Sequence, residues 1–304
     1  MVMGCGPGHG ACMTVLAAYD PQTLDSAPVH FAAAAARFTD VPLIIASIRA
    51  DVAPAPSARA DLLGEELDRL RADVTRDDRI DVRTRVVKAS PPAGVTRALQ
   101  DVIDEEHAGL VAVGSSKRGA IGRVAPGTTA QRIINGSSCP VVVVPHGYEA
   151  PTQLTTVGVA FVPTPEGRRA VHEAAMIARM CDADLRVLTV TKPELDDDAS
   201  GDPAGHAAKR NRAQLDAVLA ELPDGPPTES EVLAGDPTDA LVSVSPHLDV
   251  LVMGSRGYGP RLGVLLGSVS RRVTLKARCP VLVVPRGSAS WLAPWAPRTV
   301  TNSV

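Results

Sequence analysis

Short apolar runs alternate with amphipathic stretches along the whole chain. In the first half they predict strands over 15–19, 42–48, 80–87, 109–114 and 140–145, with helices over about 27–38, 58–75, 93–106 and 127–136. The second half repeats the pattern with VGVAF, DLRVLTV, ESEVL, DVLVMG and PVLVVP, and with a helix over 207–222. Such alternation is typical of a parallel sheet with crossover helices. The runs at 109–114 and 250–254 are continuously apolar, as expected of strands covered on both faces.

The second half of the chain is a copy of the first. Segment 114–147 aligns without a gap with segment 254–287, at a constant offset of 140 residues (254 − 114). The identical pairs are Gly114/Gly254, Ser115/Ser255, Gly119/Gly259, Gly127/Gly267, Cys139/Cys279, Pro140/Pro280, Pro145/Pro285 and Gly147/Gly287. We therefore predict two domains over 13–147 and 154–287, joined by a linker over 148–153. Residues 1–12 are expected to be a disordered N-terminus, and 288–304 form a C-terminal tail.

Each copy is predicted to be an α/β domain, a doubly wound, Rossmann-like, five-stranded parallel sheet with strand order 3-2-1-4-5. In that order the fifth strands, VVVV and VLVV, lie at a sheet edge, and a bare apolar edge invites pairing. We expect the two fifth strands to pair with each other in an intramolecular pseudo-dimer. The tail SWLAPWAPRTV carries both tryptophans, and its alternatives are packing over a domain, mediating a homodimer, or disorder.

Composition excludes several classes of function. The net charge of −3 and pI near 6.2 give no electrostatic case for binding nucleic acid or an anionic membrane. No apolar run approaches the roughly 18 residues of a membrane span. Aromatic residues make up only 3% of the chain, which weakens functions based on base stacking. The five cysteines are widely spaced and form no disulfide framework, which favours a reducing cytoplasm.

Candidate metal and catalytic residues are few. Cys5, His9 and Cys12 could suggest a metal, but no second ligand pair with zinc spacing follows, so we expect no metal site. Cys139 and Cys279 each precede a proline and could be a redox pair; we favour small buried residues at strand entrances. The chain contains neither an H-E-x-x-H nor a G-x-S-x-G pattern, which argues against a zinc hydrolase and an α/β-hydrolase.

A glycine-rich loop follows the fourth strand of the second copy. Its spacing is G-x2-G-x9-G-S, which differs from a Walker A loop. Ligands of open parallel sheets bind beyond the carboxyl ends of the strands, where this loop begins. Gly257 would let backbone N–H groups approach an anion, and Gly267 with Ser268 would present amides and a hydroxyl at a helix N-terminus. The alternative is a flexible loop that ends in an N-capping serine.

The motif and the following CPVLVVP resemble the universal stress protein family, and two copies in one chain resemble its tandem subclass, common in actinobacteria. The resemblance implies an adenine-nucleotide alpha-hydrolase-like fold. It also implies that the motif binds the phosphates and ribose of ATP or of a related nucleotide such as ADP or AMP. An aspartate at the end of the first strand would lie near the nucleoside, and backbone after the second strand would meet the adenine. Family members are regulators and binders rather than strong enzymes.

Carried over to this sequence, the resemblance implies two unequal sites. In the second copy it assigns Gly254, Ser255, Arg256, Gly257, Gly267, Ser268 and, at the adenine, Val190, whereas Ala160 stands in place of the aspartate. In the first copy it assigns Asp20, Gly114, Gly127 and Thr128, with Lys117 in place of the second glycine. The second copy is the better phosphate cradle and the first has the better nucleoside end, so we favour binding in the second.

We therefore expect an ATP-binding regulator of the stress response, with an adenine nucleotide and a regulatory protein as partners. The first alternative is a scaffold protein whose two sites have both decayed, for which Ala160 and Lys117 argue. The second is a weak ATPase, which suffers because the loop supplies no general base and the second copy lacks an obvious carboxylate for Mg²⁺. We expect no enzyme.

Overall fold

The computed structural model describes residues 13–50, 57–75, 80–89, 94–115, 128–191, 203–222, 225–255, 267–286 and 290–292. The first copy comprises β1 (Thr14–Tyr19), α1 (Ala27–Thr39), β2 (Leu43–Ala50), α2 (Ser57–Val74), β3 (Val82–Ala89), α3 (Gly94–Glu105), β4 (Ala108–Gly114), α4 (Thr128–Gly136) and β5 (Val141–Val144). The second comprises β6 (Thr156–Ala160), α5 (Pro165–Cys181), β7 (Asp184–Thr191), α6 (Pro203–Leu219), β8 (Thr228–Ala234), α7 (Pro237–Val244), β9 (Val250–Gly254), α8 (Ser268–Lys276) and β10 (Val281–Val284). Most of the predicted helix and strand ends lie within two residues of the observed ends. Helix α6 is an exception, because it begins and ends earlier than the predicted 207–222.

The described strands form one sheet in the order β3-β2-β1-β4-β5-β10-β9-β6-β7-β8. Each half is parallel and has the predicted order 3-2-1-4-5. The halves meet where β5 and β10 pair antiparallel, with Leu282 opposite Val142. Both strands are fully buried, so each removes the exposed apolar edge of the other. The predicted pairing of the fifth strands inside one chain is confirmed.

Helices cover both faces of the sheet. Side chains of alternate strand residues point to opposite faces, so Val15 and Ala17 join one apolar cluster and Leu16 joins the other. Helices α1, α2, α5 and α6 cover the first face, and α3, α4, α7 and α8 cover the second. The alanine-rich stretch 32–36 of α1 lets that helix lie close to the sheet, because a methyl side chain keeps the helix axis near the strands.

The segments that follow β5 and β10 cross the boundary between the copies in opposite directions. Tyr148, after β5, donates its hydroxyl to the carbonyl oxygen of Asp249 next to β9 (3.1 Å). Trp291, after β10, packs beside Gly109 at the start of β4 and lies 6.2 Å from the Phe38 ring between centroids. Each copy is therefore fastened to the other by the segment beyond its last strand, and residues 290–292 of the tail pack over the first copy.

The cysteines before β5 and β10 are buried, as predicted. Cys139, Cys181 and Cys279 are free thiols in the described part of the chain. Burial raises the pKa of Cys139 to about 11 and that of Cys279 to about 12. Among the described residues no three histidine, cysteine or acidic side chains are grouped to hold a metal, and no helix is long and apolar enough to cross a membrane. Cys5, His9 and Cys12 lie outside the described residues.

These thiols should resist alkylation in the native protein. A pKa near 11 leaves about one Cys139 thiolate per thousand molecules at pH 8, and burial limits access to it. We expect iodoacetamide to label the peptides containing Cys139 and Cys279 only after unfolding in guanidinium, as measured by mass spectrometry. Rapid labelling of either peptide in the native protein would contradict a purely structural role.

Candidate functional site

The crevice of the second copy lies between β6 and β9. These strands are neighbours, with Ala160 opposite Met253, but the helices that follow them lie on opposite faces of the sheet. A doubly wound sheet has its ligand crevice at such a point, beyond the carboxyl ends of the strands. Four of the predicted residues, Gly254, Ser255, Gly267 and Ser268, lie in the described part of this region.

Gly254 ends β9 under the first turn of α5. A β-carbon on this residue would lie 2.9 Å from the carbonyl oxygen of Glu166, which is backbone and cannot swing away. The prediction gave this glycine the task of a sharp exit from the strand. The structure shows in addition that glycine is needed because the start of α5 approaches the strand so closely.

The hydroxyl of Ser255 has no hydrogen-bond partner among the described residues. Its backbone N–H donates to the carbonyl of Val284 (2.9 Å), which continues the ladder past β9, but Oγ is buried in a residue only 1% exposed. In the first copy the equivalent Ser115 Oγ accepts the N–H of His146 (2.8 Å). A buried polar atom without a partner is uncommon in native proteins, and it marks this end of the crevice.

Helix α8 begins at the same place with an uncapped N-terminus. Gly267 is the N-cap residue and has no side chain to accept a hydrogen bond from the first turn. Ser270 Oγ donates to the carbonyl oxygen of Gly254 (3.3 Å), which holds that turn against the end of β9. The amides of Ser268 and its successors therefore lie beside the strand end with the positive end of the helix dipole.

Acidic residues at this edge of the second copy already have partners. Glu166 lies 3.2 Å from Arg286, which follows β10. Asp236 caps α7 by accepting the N–H groups of Thr238 and Asp239, and its carboxylate lies 3.9 Å from Arg272 of α8. The N–H of Thr238 is the main cause that lowers the pKa of Asp236. Both carboxylates thus have a cationic or backbone N–H partner at this edge of the sheet.

Val190, the predicted adenine contact, lies inside β7. It is opposite Leu233 of β8 and is partly buried against the cluster under α7 and α8. The next residue, Thr191, ends the strand; its carbonyl accepts the N–H of Gly235 (3.0 Å) and its hydroxyl accepts from Asn211 (2.9 Å). The adenine contact of Val190 stays a prediction.

The assignment of Ala160 to the aspartate position is wrong by two residues. Ala160 is opposite Met253, and Met253 is the equivalent of Val113 at the offset of 140. The residue opposite Val113 is Ala18. Ala160 is therefore the equivalent of Ala18. Asp20 follows Ala18 by two residues, and the residue that follows Ala160 by two is Val162, an exposed apolar residue. The ungapped comparison failed because the chain between the first and fourth strands is two residues shorter in the second copy (113 − 18 = 95 against 253 − 160 = 93). The spacing of the first and second strands is the same in both copies (43 − 15 = 185 − 157 = 28), so the difference arises later in the domain, and only strand register aligns the strand ends.

The crevice of the first copy contains a buried carboxylate that the sequence analysis missed. Asp25 Oδ1 accepts the N–H groups of Ala27 and Gly147, and Oδ2 lies 2.9 Å from His146 Nδ1. A β-carbon on Gly114 would lie 3.7 Å from that Oδ2 atom. The only sequence signal was an acid just before α1, which also describes an ordinary helix-capping residue.

Asp20, in contrast, is exposed and stabilises its own turn, where Oδ1 accepts the N–H of Gln22 (2.9 Å). Thr128 is the first residue of α4, one residue after the predicted start of that helix, and its contact with a nucleotide stays a prediction. The remaining predicted site residues lie outside the described part of the chain: Lys117, Gly127, Arg256 and Gly257.

Comparison with known proteins decides the family. The model of the universal stress protein family matches residues 12–145 and again residues 154–285. The chain belongs to the universal stress protein family. A universal stress protein of Mycolicibacterium smegmatis is 29% identical over 289 residues, covering 89% of this chain and 96% of the relative. One of Mycobacterium tuberculosis is 30% identical over 224 residues, covering 69% of this chain and 71% of the relative.

Solved structures agree on the fold. The crystal structure of a universal stress protein from Archaeoglobus fulgidus superposes with a TM-score of 0.67 at 17% identity, covering 92% of this chain and all (100%) of the other. The two universal stress protein domains of this chain thus share one fold and differ at their crevices. The second domain places Val162 and a Glu166–Arg286 pair where the first places Asp20 and an Asp25–His146 pair.

Proposed function

We propose that the second universal stress protein domain binds the phosphate groups of an adenine nucleotide, and that the protein acts as a nucleotide-dependent regulator. The observation that carries this proposal is the uncapped start of α8, held against the end of β9 by the contact between Ser270 and Gly254. Helix N-termini of this kind favour phosphate because free N–H groups and the helix dipole act together. The unpartnered Ser255 hydroxyl adds a further polar group beside them.

ATP is the preferred ligand in this proposal, with ADP and AMP weaker. Each phosphate lost removes charge-assisted hydrogen bonds to the amides of the loop and helix, and one such bond contributes about 1.5–3 kcal/mol. Mg²⁺ would arrive with the phosphates, because the carboxylates of Glu166 and Asp236 are engaged elsewhere. We likewise propose binding without turnover, because both carboxylates already pair with an arginine or cap a helix and neither is positioned beside the α8 start as an unpaired base.

Electrostatics favours the second domain over the first. Glu166 is paired with an arginine, which keeps its charge at every relevant pH. Asp25 of the first domain is buried, and its Oδ2 atom lies 2.9 Å from His146 Nδ1 and next to Gly114. A polyphosphate that approached Gly114 would therefore meet a buried carboxyl group directly beside the glycine, whereas the acid at the second crevice is held by an arginine. We propose one nucleotide per chain.

Replacing Gly267 with aspartate tests the site. The backbone of Gly267 (φ −59°, ψ 156°) suits an N-cap aspartate, so the stability should change by only about a few tenths of a kcal/mol. The new carboxylate would occupy the first-turn amides and repel phosphate. We expect G267D to weaken ATP binding by at least about tenfold, measured by isothermal titration calorimetry with and without Mg²⁺.

Two matched variants sharpen the result. G267A leaves the amides free and should bind ATP like the wild type, whereas G267N fills the same space without charge and should lie between the two. Unchanged affinity in G267D would remove the phosphate site from α8. No binding by the wild type at millimolar ATP would instead leave the scaffold alternative.

A further inference from the structure

A carboxyl group is buried where the two domains meet. Glu173 lies midway along α5, on the face of the sheet where α5 packs against α1 of the first domain. It is only 2% exposed, and its carboxyl oxygens have no hydrogen bond of good geometry among the described residues; the Ser290 hydroxyl is the nearest donor and lies close enough to lower the pKa of the group. An ionised carboxylate in such a place is costly, so this group is expected to carry a proton while it remains covered.

The segment Ser290–Leu292 covers this carboxyl group, and we refer to it as the clasp. Ser290 is close enough to Glu173 to affect its protonation, and its hydroxyl also accepts the N–H of Leu292 (3.2 Å). Trp291 and Leu292 are buried in the apolar cluster shared by α1 and α5. The clasp thus touches the second domain through Ser290 and the first through Trp291, so its departure would take Ser290 away from the carboxyl group.

Burial has the largest effect on the pKa of Glu173. It raises the pKa of the carboxyl group above its usual value of 4.5, and the nearby Ser290, Arg169 and His172 offset part of that rise. The charged groups on α1 are directed to α2 instead. His30 lies 3.5 Å from Asp73, and Arg37 donates to the carbonyl of Val74.

We propose that the clasp closes on the uncharged form of Glu173 and opens when this carboxyl group ionises. Closed, it seals the boundary between the domains; open, it bares the apolar surface of the first domain around Phe38 and Met13. The switch needs no ligand and is independent of the nucleotide site proposed above. It makes the contact between the two domains sensitive to pH.

The direction of the effect follows from the raised pKa. The stabilisation from the uncharged carboxyl is fully present below the unfolded-state pKa of about 4.5 and is lost as pH rises through the folded-state pKa. Between the pKa of the exposed carboxyl group and that of the closed form, each further pH unit shifts the balance toward the open clasp by about tenfold. The shift stops once Glu173 is fully ionised in the closed form as well.

Trp291 fluorescence tests the proposal in the full-length chain. Trp295 is replaced by phenylalanine, so that Trp291 is the remaining tryptophan. We expect blue-shifted emission, protected from acrylamide, at low pH, and a one-proton step to red-shifted, quenchable emission as pH rises above the usual range of glutamate. Far-UV circular dichroism should stay constant through the step. Glu173→Gln in the same background should remain blue-shifted throughout.

Two control variants test whether the pH-dependent fluorescence step comes from Glu173 or from another titrating side chain. Glu166→Gln changes a carboxyl group of the same helix at the crevice, and His172→Asn removes the neighbouring histidine; both should keep the step. Should Glu173→Gln fold poorly, Glu173→Leu supplies an apolar replacement of similar volume. A wild-type emission that does not change with pH, or an identical step in the Glu173 variants, would overturn the proposal.

Discussion

Replacing Trp291 with alanine is expected to lower the free energy of unfolding by about 3–5 kcal/mol, the usual cost of truncating a buried tryptophan. The side chain is only 3% exposed and packs on Phe38, Met13 and Gly109 of the first domain. Its indole N–H has no partner among the described residues, so the loss is mainly one of apolar contact. Guanidinium denaturation followed by circular dichroism measures the change as a lower midpoint of unfolding.

Two further substitutions show whether that loss comes from the site of Trp291. Trp291→Phe keeps an aromatic ring and should retain much of the stability. Leu62→Ala removes a side chain that is 62% exposed on α2, and it should change the stability by less than about 0.5 kcal/mol. If Trp291→Ala unfolds at the wild-type midpoint at an acidic pH where Glu173 is protonated, the clasp is not packed in solution, and the pH switch built on it fails as well.

Replacing Gly167 with alanine should cost about 3 kcal/mol, the upper end for inserting a methyl group into a packed site. The new β-carbon would lie 2.0 Å from the carbonyl oxygen of Val162, so backbone must move. The turn from Val162 to Gly167 is held by a hydrogen bond from Thr164 N–H to the Val162 carbonyl and by the Thr164 cap on α5. Moving it shifts the start of α5 away from Gly254 as well. We therefore expect weaker ATP binding together with a lower melting temperature.

Gly64→Ala is the matched control for this substitution. Gly64 lies within α2, and a β-carbon there would meet nothing within 4 Å. Alanine at an open helical position stabilises by about 0.5–1 kcal/mol relative to glycine. The same chemical change should thus raise the melting temperature at residue 64 and lower it at residue 167. A stable Gly167→Ala protein with normal nucleotide affinity would show that the crevice tolerates a displaced α5.

The two domains differ in the charged residues at their crevices. In the second domain, Glu166 and Asp236 are paired with arginines, and the N-cap residue of α8 is a glycine without a capping side chain. The first domain has a buried Asp25 beside Gly114, and it also receives the clasp from the second. The two domains thus differ at their crevices, and the phosphate site proposed for the second domain has no counterpart of the same composition in the first.

The sequence by itself determined the duplication, the order of the elements and the pairing of the fifth strands. These follow from local information, because strand and helix periodicity is written in consecutive residues and an apolar edge such as VVVV must be covered. The burial of Cys139 and Cys279 was predictable for the same reason, since each opens a fully apolar strand. The spacing from Gly254 to Ser268 likewise predicted where β9 ends and where α8 begins.

Tertiary structure alone decided the rest, because each remaining feature joins residues distant in the chain. The register of β6 against β9 moved the aspartate position from Ala160 to Val162, and a connection of different length hid this shift from an ungapped comparison. The pairing of Asp25 with His146 spans the loops after β1 and β5. The clasp and the buried Glu173 exist only because β5 pairs with β10 and brings α1 and α5 face to face. No periodic pattern encodes such contacts, since they depend on how the two folded domains meet.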